Sequence, residues 1–269
     1  MRIKMENVEF GYENGPRVLN DVNLDLEGAG LYCIIGPNGV GKSTLVKCIN
    51  GLLRPTSGKV YLDNRDLSEY TSKEIAERIG YVPVHTDDMF SMTVFETVMI
   101  GRGNRRSWRT STDDILKVHR VLDVFGMEGF AGRKFNELSA GQHQKVALAR
   151  GLVQETDILL LDEPTSNLDI RHQIFVAELL REIAARKNIM VIMISHNLDI
   201  TAKYADKVIM MSTDGSIKTV GTANEVITSE NLRDVYDVET EIIIHEGRPA
   251  ILINQMERCT RHCPIYNFL

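Results

Sequence analysis

Nine residues, Gly36-Pro37-Asn38-Gly39-Val40-Gly41-Lys42-Ser43-Thr44, restrict the fold of this chain more than any other stretch. Their spacing, G-x-x-x-x-G-K-S, is that of a loop whose backbone wraps phosphate. The flanks agree. Leu31-Tyr32-Cys33-Ile34-Ile35 is an apolar run of buried-strand length, and Thr44-Leu45-Val46-Lys47-Cys48-Ile49 opens a helical pattern. Strand, glycine loop and helix follow in that order. Glycines let the backbone close around an anion, and the helix N-terminus adds N–H groups and the positive end of its dipole. Lys42 is placed to reach β- and γ-phosphates, and the Ser43 hydroxyl to hold Mg²⁺.

A second constellation fits the first. Ile158-Leu159-Leu160-Leu161 is an apolar strand that ends in Asp162-Glu163. Alone, this is equally a strand running into an acidic turn. In a parallel α/β sheet, however, ligands sit at the C-terminal ends of strands, which sets both carboxylates beside the phosphate loop. Asp162 then suits Mg²⁺ or its water shell, and Glu163 a general base for an attacking water.

Composition excludes other classes. A net charge of −6 leaves no basic excess for bulk nucleic-acid binding. Arg102, Arg105, Arg106 and Arg109 gather around Trp108, but runs of this kind are ordinarily solvated surface. No apolar run reaches the roughly 18–20 residues of a membrane span. Met1-Arg2-Ile3-Lys4-Met5-Glu6 lacks a signal-peptide core, so a cytosolic protein is expected, with any membrane association through a partner. Four cysteines do not suggest a disulfide scaffold, and Cys33 and Cys48 read as core.

Along the chain, strands are expected around Val8 and Phe10, over Val22, Leu24 and Leu26, at 58–63, and at 79–83 where Pro83 closes the run. From about Thr93 to Gln154 the pattern turns helical: 93–102, then 111–125 with Ser111 and Asp114 as a capping box, then 142–153. Strands resume at 157–161 and 189–194 around a helix over 169–186, followed by short strands at 207–212 and 216–220. A helix over 222–236 and strands at 238–245 and 249–253 complete the reading, and the tail beyond about 230 is expected to be dispensable for nucleotide binding.

Leu138-Ser139-Ala140-Gly141-Gln142 resembles the signature motif of the ATP-binding-cassette (ABC) ATPases. Ser166-Asn167-Leu168-Asp169 is similar to that family's D-loop, Ser195-His196 to its switch histidine, and Tyr12 stands where an aromatic residue stacks on adenine. The resemblance runs in unbroken order over about residues 1–228. It implies an α/β P-loop NTPase fold with a β-rich N-terminal portion, a parallel-sheet core, a helical subdomain inserted over about 86–155 and a small C-terminal extension, 229–269. It implies ATP and Mg²⁺ as cofactors. It assigns nucleotide contacts to Tyr12, Gly36, Pro37, Asn38, Gly39, Val40, Gly41, Lys42, Ser43, Thr44, Ser139, Ala140, Gly141, Gln142 and Asp169. Metal contacts fall to Ser43 and Asp162, and catalysis to Glu163 and His196. Ser139 and the Gly141 amide open a helix and form a second anion-binding terminus, which in the family serves the facing subunit. One loop and one signature per chain therefore imply a head-to-tail homodimer.

Within the family, Met92-Thr93-Val94-Phe95-Glu96-Thr97-Val98-Met99-Ile100-Gly101-Arg102, Asn231-Leu232-Arg233-Asp234-Val235-Tyr236 and Gly247-Arg248-Pro249 resemble importers of ferric siderophores, haem and cobalamin. That implies membrane permease subunits as partners, a solute-binding protein acting indirectly, no nucleic acid, and a peripheral place on the cytoplasmic face of the membrane. Two departures stand out. Ala140 replaces a common signature glycine, a mild change. Val84 replaces the glutamine that usually follows Tyr-Val-Pro and reaches Mg²⁺ and the attacking water; His85 is a substitute by position only.

Other classes fit the sequence less well. A chromosome or DNA-repair ATPase of related fold carries a long coiled coil between loop and signature, whereas only about a hundred residues without sustained heptads intervene here. A translation-factor ATPase carries two cassettes in one chain. A module that binds ATP and hydrolyses it poorly stays open because of Val84. Cys259, His262 and Cys263 have zinc-like spacing without an obvious fourth ligand, so loose terminal thiols and a metal site both remain open.

Overall fold

The computed structural model describes residues 1–13, 15–84, 91–103, 111–166 and 168–253. His85, Arg105, Arg106, Trp108, Arg109 and Asn167, with Cys259, His262 and Cys263, lie outside the described residues. The chain opens with β1 (Arg2–Gly11) and β2 (Arg17–Glu27), both longer than their apolar alternation suggests. Ile3 and Met5 face inward on odd positions, Val8 and Phe10 on even ones. The phase slips at Asn7, which sits at φ 47°, and the pairing register shifts between Met5 and Val8. Asp21, at φ 46°, absorbs the matching slip in β2, and the Asn7 side-chain amide donates to its carboxylate at 2.9 Å. A β-bulge of this kind inserts a residue without losing the buried face.

β3 (Gly30–Ile35) leads through the glycine loop into α1 (Lys42–Ile49), which begins two residues earlier than its apolar pattern. β4 (Ser57–Leu62) and β5 (Arg65–Asp66) then join the first two strands in an antiparallel sheet of order β2-β1-β4-β5. α2 (Ser72–Arg78), unforeseen, is started by a Thr71–Glu74 capping box and ends in β6 (Ile79–Val82). α3 (Val94–Met99), α4 (Thr112–Val124) and α5 (Ala140–Leu152) fill the stretch before β7 (Ile158–Leu161). α6 (Ile170–Lys187), β8 (Met190–Ile194), α7 (Leu198–Tyr204), β9 (Lys207–Met211) and β10 (Ile217–Gly221) follow. Among the described residues these strands form a second sheet of order β10-β9-β3-β8-β7-β6, parallel except for β10 at its edge.

The parallel strands are almost wholly apolar because both faces are covered, the exposed Lys207 that opens β9 being the exception. In β3, Leu31, Cys33 and Ile35 enter one core with Val146 of α5 and Val176 and Leu180 of α6. Tyr32 and Ile34 enter the other with Leu45, Val46 and Ile49 of α1 and with the inward residues of β1 and β2. Cys33 and Cys48 are buried free thiols, and burial pushes both upward.

The single helix expected over 222–236 is two. α8 (Ala223–Val226) stops where Thr228 breaks the pattern, and the Thr228 hydroxyl caps α9 (Ser229–Tyr236) by accepting from the Asn231 amide. Leu232 and Val235 of α9 are buried in the main core. The stretch beyond about 230, expected to be dispensable for nucleotide binding, is thus in part packed into the core. The described chain ends in a hairpin of β11 (Thr240–His245) and β12 (Arg248–Ile253), turned at Glu246 and Gly247, both at positive φ, the geometry that two-residue hairpin loops favour.

Candidate active site

Because β3, β6, β7 and β8 run parallel, their C-terminal ends meet along one edge, and each contributes a side chain there. A cavity of about 560 Å³ opens at that edge, lined among others by Tyr12, Asn38, Gly39, Lys42, Ser43, Glu163 and His196. Gly36 stands at φ 150°, where a Cβ would lie 2.9 Å from the Met211 carbonyl oxygen. Gly41 stands at φ 102°, with a Cβ position 3.0 Å from the Val18 carbonyl. Both the conformation and the closeness require glycine. Lys42 is 5% exposed and folds back over the loop, donating to the Gly36 and Pro37 carbonyls at 2.8 and 2.6 Å. Burial lowers its pKa, while Glu163 and Asp162 oppose that shift. Such an ammonium, held on neutral carbonyls, gains from a charged acceptor in the loop. The Tyr12 ring is half exposed at the rim, its hydroxyl 3.3 Å from Thr44 Oγ1, and it stacks edge-on against Phe10.

Asp162 is 3% exposed, and burial pushes its carboxyl upward. Ser43 Oγ donates to one of its oxygens at 2.9 Å, and the Tyr81 hydroxyl approaches the other at 3.4 Å. The hydroxyl of Ser43 and the carboxylate of Asp162 are hard oxygen donors on adjacent elements. That pair fits Mg²⁺, which is commonly held by one or two protein oxygens with phosphate and water completing its shell. No cluster of three or more His, Cys, Asp or Glu side chains is spaced for a metal among the described residues. A metal arriving with its nucleotide needs none. Bound there, Mg²⁺ would neutralise charge on the β- and γ-phosphates.

Glu163 takes φ 51°, uncommon for a residue with a side chain and costing about 1–2 kcal/mol. The Ser166 amide and hydroxyl hold its carbonyl at 3.1 and 2.9 Å. The turn separates the two neighbouring carboxylates: Asp162 goes inward to Ser43, and Glu163 toward His196, whose Nε2 lies 2.6 Å from Glu163 Oε1. A carboxylate and an imidazole in contact at the mouth of a phosphate pocket can take a proton from water and orient it.

The other expected residues stand elsewhere. Ser139 caps α5 in a reciprocal box with Gln142, and Ser139 and Ala140 are exposed. None of Ser139, Ala140, Gly141 or Gln142 lines the cavity. Asp169 caps α6 and binds the His172 ring, also away from it. Val84, half-buried, follows β6.

Two residues were missed. Tyr81 reads as a strand residue, and only the parallel pairing of β6 with β7, Tyr81 opposite Leu160, sets its hydroxyl against Asp162. Tyr236, far along the chain, meets the phosphate loop: burial pushes its phenol up to about 12, and a hydrogen bond with the Gly36 backbone opposes this. No local pattern signals either contact.

Known proteins resemble this chain in sequence and fold. A family model described as ABC transporter matches residues 19–166. An uncharacterised ABC transporter ATP-binding protein of Methanocaldococcus jannaschii is 40% identical over 252 residues, spanning 94% of this chain and 98% of that protein. The hemin import ATP-binding protein HmuV of Bradyrhizobium diazoefficiens is 36% identical over 248 residues, 89% of this chain and 90% of its own. Among solved structures, a dimeric ATP-binding cassette in a post-hydrolysis state with ADP and Pi superposes with a TM-score of 0.75 at 28% identity, covering 82% of this chain and 98% of that one.

Proposed function

This chain belongs to the ABC transporter family and is its ATP-binding, ATP-hydrolysing component, and we propose that it powers an importer as a head-to-tail homodimer. One observation carries the dimer: the signature residues 139–142 open a helix on the surface and do not line the cavity that holds Lys42, Ser43, Glu163 and His196. A phosphate site with a single helix terminus leaves the outer face of a γ-phosphate open. The Ser139 end of a second copy supplies the missing donors.

In the proposed cycle, Lys42 and the loop amides hold the phosphates, while Ser43 and Asp162 hold Mg²⁺. Glu163 takes the proton of the attacking water, with His196 orienting it. Tyr12 stacks on adenine. Residues 1–228 form the nucleotide-binding unit, with its helical part over about 86–155 facing permease subunits, and 229–269 extend it. Import is supported by the hemin import relative and by the sequence stretches at 92–102, 231–236 and 247–249. The cargo class is iron-siderophore, haem or cobalamin, delivered by a solute-binding protein that this chain does not touch. No described helix is long and apolar enough to cross a membrane, in keeping with a peripheral subunit at the cytoplasmic face.

Affinity purification from native membranes tests the assignment. The tagged chain should bring down membrane-spanning subunits, and those subunits should stimulate its turnover. Recovery without any membrane protein, with unchanged turnover, would favour the stand-alone module that Val84 suggests.

A further inference from the structure

The hairpin β11–β12 presents apolar side chains that, among the described residues, no neighbour covers. Ile244 is 64% exposed, Leu252 46% and Ile253 77%. It is nevertheless firmly seated. Ile242 and Ile251, opposite one another in the ladder, pack on the main core. Arg248 donates to the Ala205 carbonyl at 2.8 Å, and the Asn224 side chain donates to the Gly247 carbonyl at 3.1 Å. The exposed isoleucines therefore stand on a fixed platform.

Ile251 and Ile253 line a cavity of about 450 Å³ whose other walls include Glu163, Ser166, His196 and Asn197. Glu163 and His196 also line the phosphate cavity. One pair of side chains thus separates the apolar end of the hairpin from the nucleotide pocket. A body that closes over the mouth of that pocket also meets Ile253.

We propose that the C-terminal hairpin is part of the surface on which a second copy of this chain seats when ATP is bound, with Ile253 as its apolar anchor beside the Glu163–His196 pair. The inference rests on the dimer reading above and adds to it a contact made by neither the phosphate loop nor the signature. It commits to a second copy because the hairpin's apolar end adjoins the pocket that such a copy must cap. Its side chains are apolar where the nucleotide-facing surface is polar, so they add burial to an association otherwise made through phosphate. The hairpin then couples dimer closure to the wall that positions the catalytic pair.

The test compares Glu163→Gln with Glu163→Gln/Ile253→Asp in analytical ultracentrifugation with ATP and Mg²⁺. Fluorescent-ATP binding and thermal melting of each monomer are measured in parallel. Ile253 is exposed, so the variant should fold and bind ATP as its parent does. The dimer dissociation constant should rise about tenfold or more, as expected for a charge placed at an apolar anchor. Leu252→Asp, one residue away on the opposite face of the strand, should have a smaller effect. Equal dimerisation of parent and Ile253→Asp would overturn the hairpin contact while leaving the dimer intact. Normal dimerisation with lost stimulation by permease subunits would assign the face to the membrane partner and overturn it as well. A Glu163→Gln parent that stays monomeric with ATP would instead remove the dimer reading, and this inference with it.

Discussion

At the scale of single residues, neighbouring carboxylates are given different partners by one backbone angle. Asp162 and Glu163 are adjacent, yet the positive φ of Glu163 sends one to Ser43 and the other to His196. Tyr81 belongs to the same arrangement, its hydroxyl facing the Asp162 oxygen that Ser43 leaves free. Tyr81→Phe should weaken Mg²⁺-dependent binding of a fluorescent nucleotide a few-fold and leave Mg²⁺-free binding unchanged. Equal losses in both conditions would make the tyrosine a packing residue only. Val84 leaves the end of β6 without the polar contact a glutamine provides. Val84→Gln should raise turnover several-fold, and an unchanged rate would mean that Ser43, Asp162 and water already complete the metal shell.

At the scale of elements, the helices before β7 are tied together by a buried arginine. Arg102 donates to Asp114 at the start of α4, to the Val153 carbonyl just after α5, and to Glu155. Arg102→Met should cost about 1–3 kcal/mol in urea unfolding, because the guanidinium's hydrogen bonds are lost while Asp114 keeps Ser111 and Glu155 keeps Lys117. A loss under 1 kcal/mol would show that the clamp is ornamental. The Ser111 hydroxyl and Arg102 hold the Asp114 carboxyl at about 2, below its unfolded value of about 3.9. A depressed acid stabilises the fold above the unfolded pKa. That contribution is full above about pH 4 and fades as the pH falls toward 2. Asp114→Asn should lower the melting temperature at pH 7 and flatten its fall across that window; an unchanged acid slope would place the effect elsewhere.

Elements with local signals were legible in the sequence. The strands around the loop read as apolar runs, and α4 was marked by its capping box. β1 was only half visible because the bulge at Asn7 reverses its alternation, and α2 and α7 are each seven residues long, too short to show a period. The site divides in the same way. Lys42, Ser43, Asp162, Glu163 and His196 sit in motifs and converge as expected, whereas Tyr81 and Tyr236 reach it only through sheet pairing and the packing of α9.

For the molecule as a whole, the proposed dimer joins the phosphate loop of one chain to residues 139–142 of its partner, two regions that a single chain does not bring together. α9 also belongs to the main core: truncation after Ser229 removes Leu232 and Val235, and should lower the melting temperature and weaken ATP binding. A truncated chain that melts and binds as the full one does would show α9 to be an appendage. Hydrolysis by Glu163 within a pair of chains is tested most directly by sedimentation of Glu163→Gln. With ATP and Mg²⁺ the variant should bind nucleotide, sediment as a dimer and turn over about 10²–10⁴-fold more slowly than the parent, the usual loss when a general base is removed. Without nucleotide it should sediment as a monomer. Parental turnover, or a monomer with ATP bound, would contradict the account.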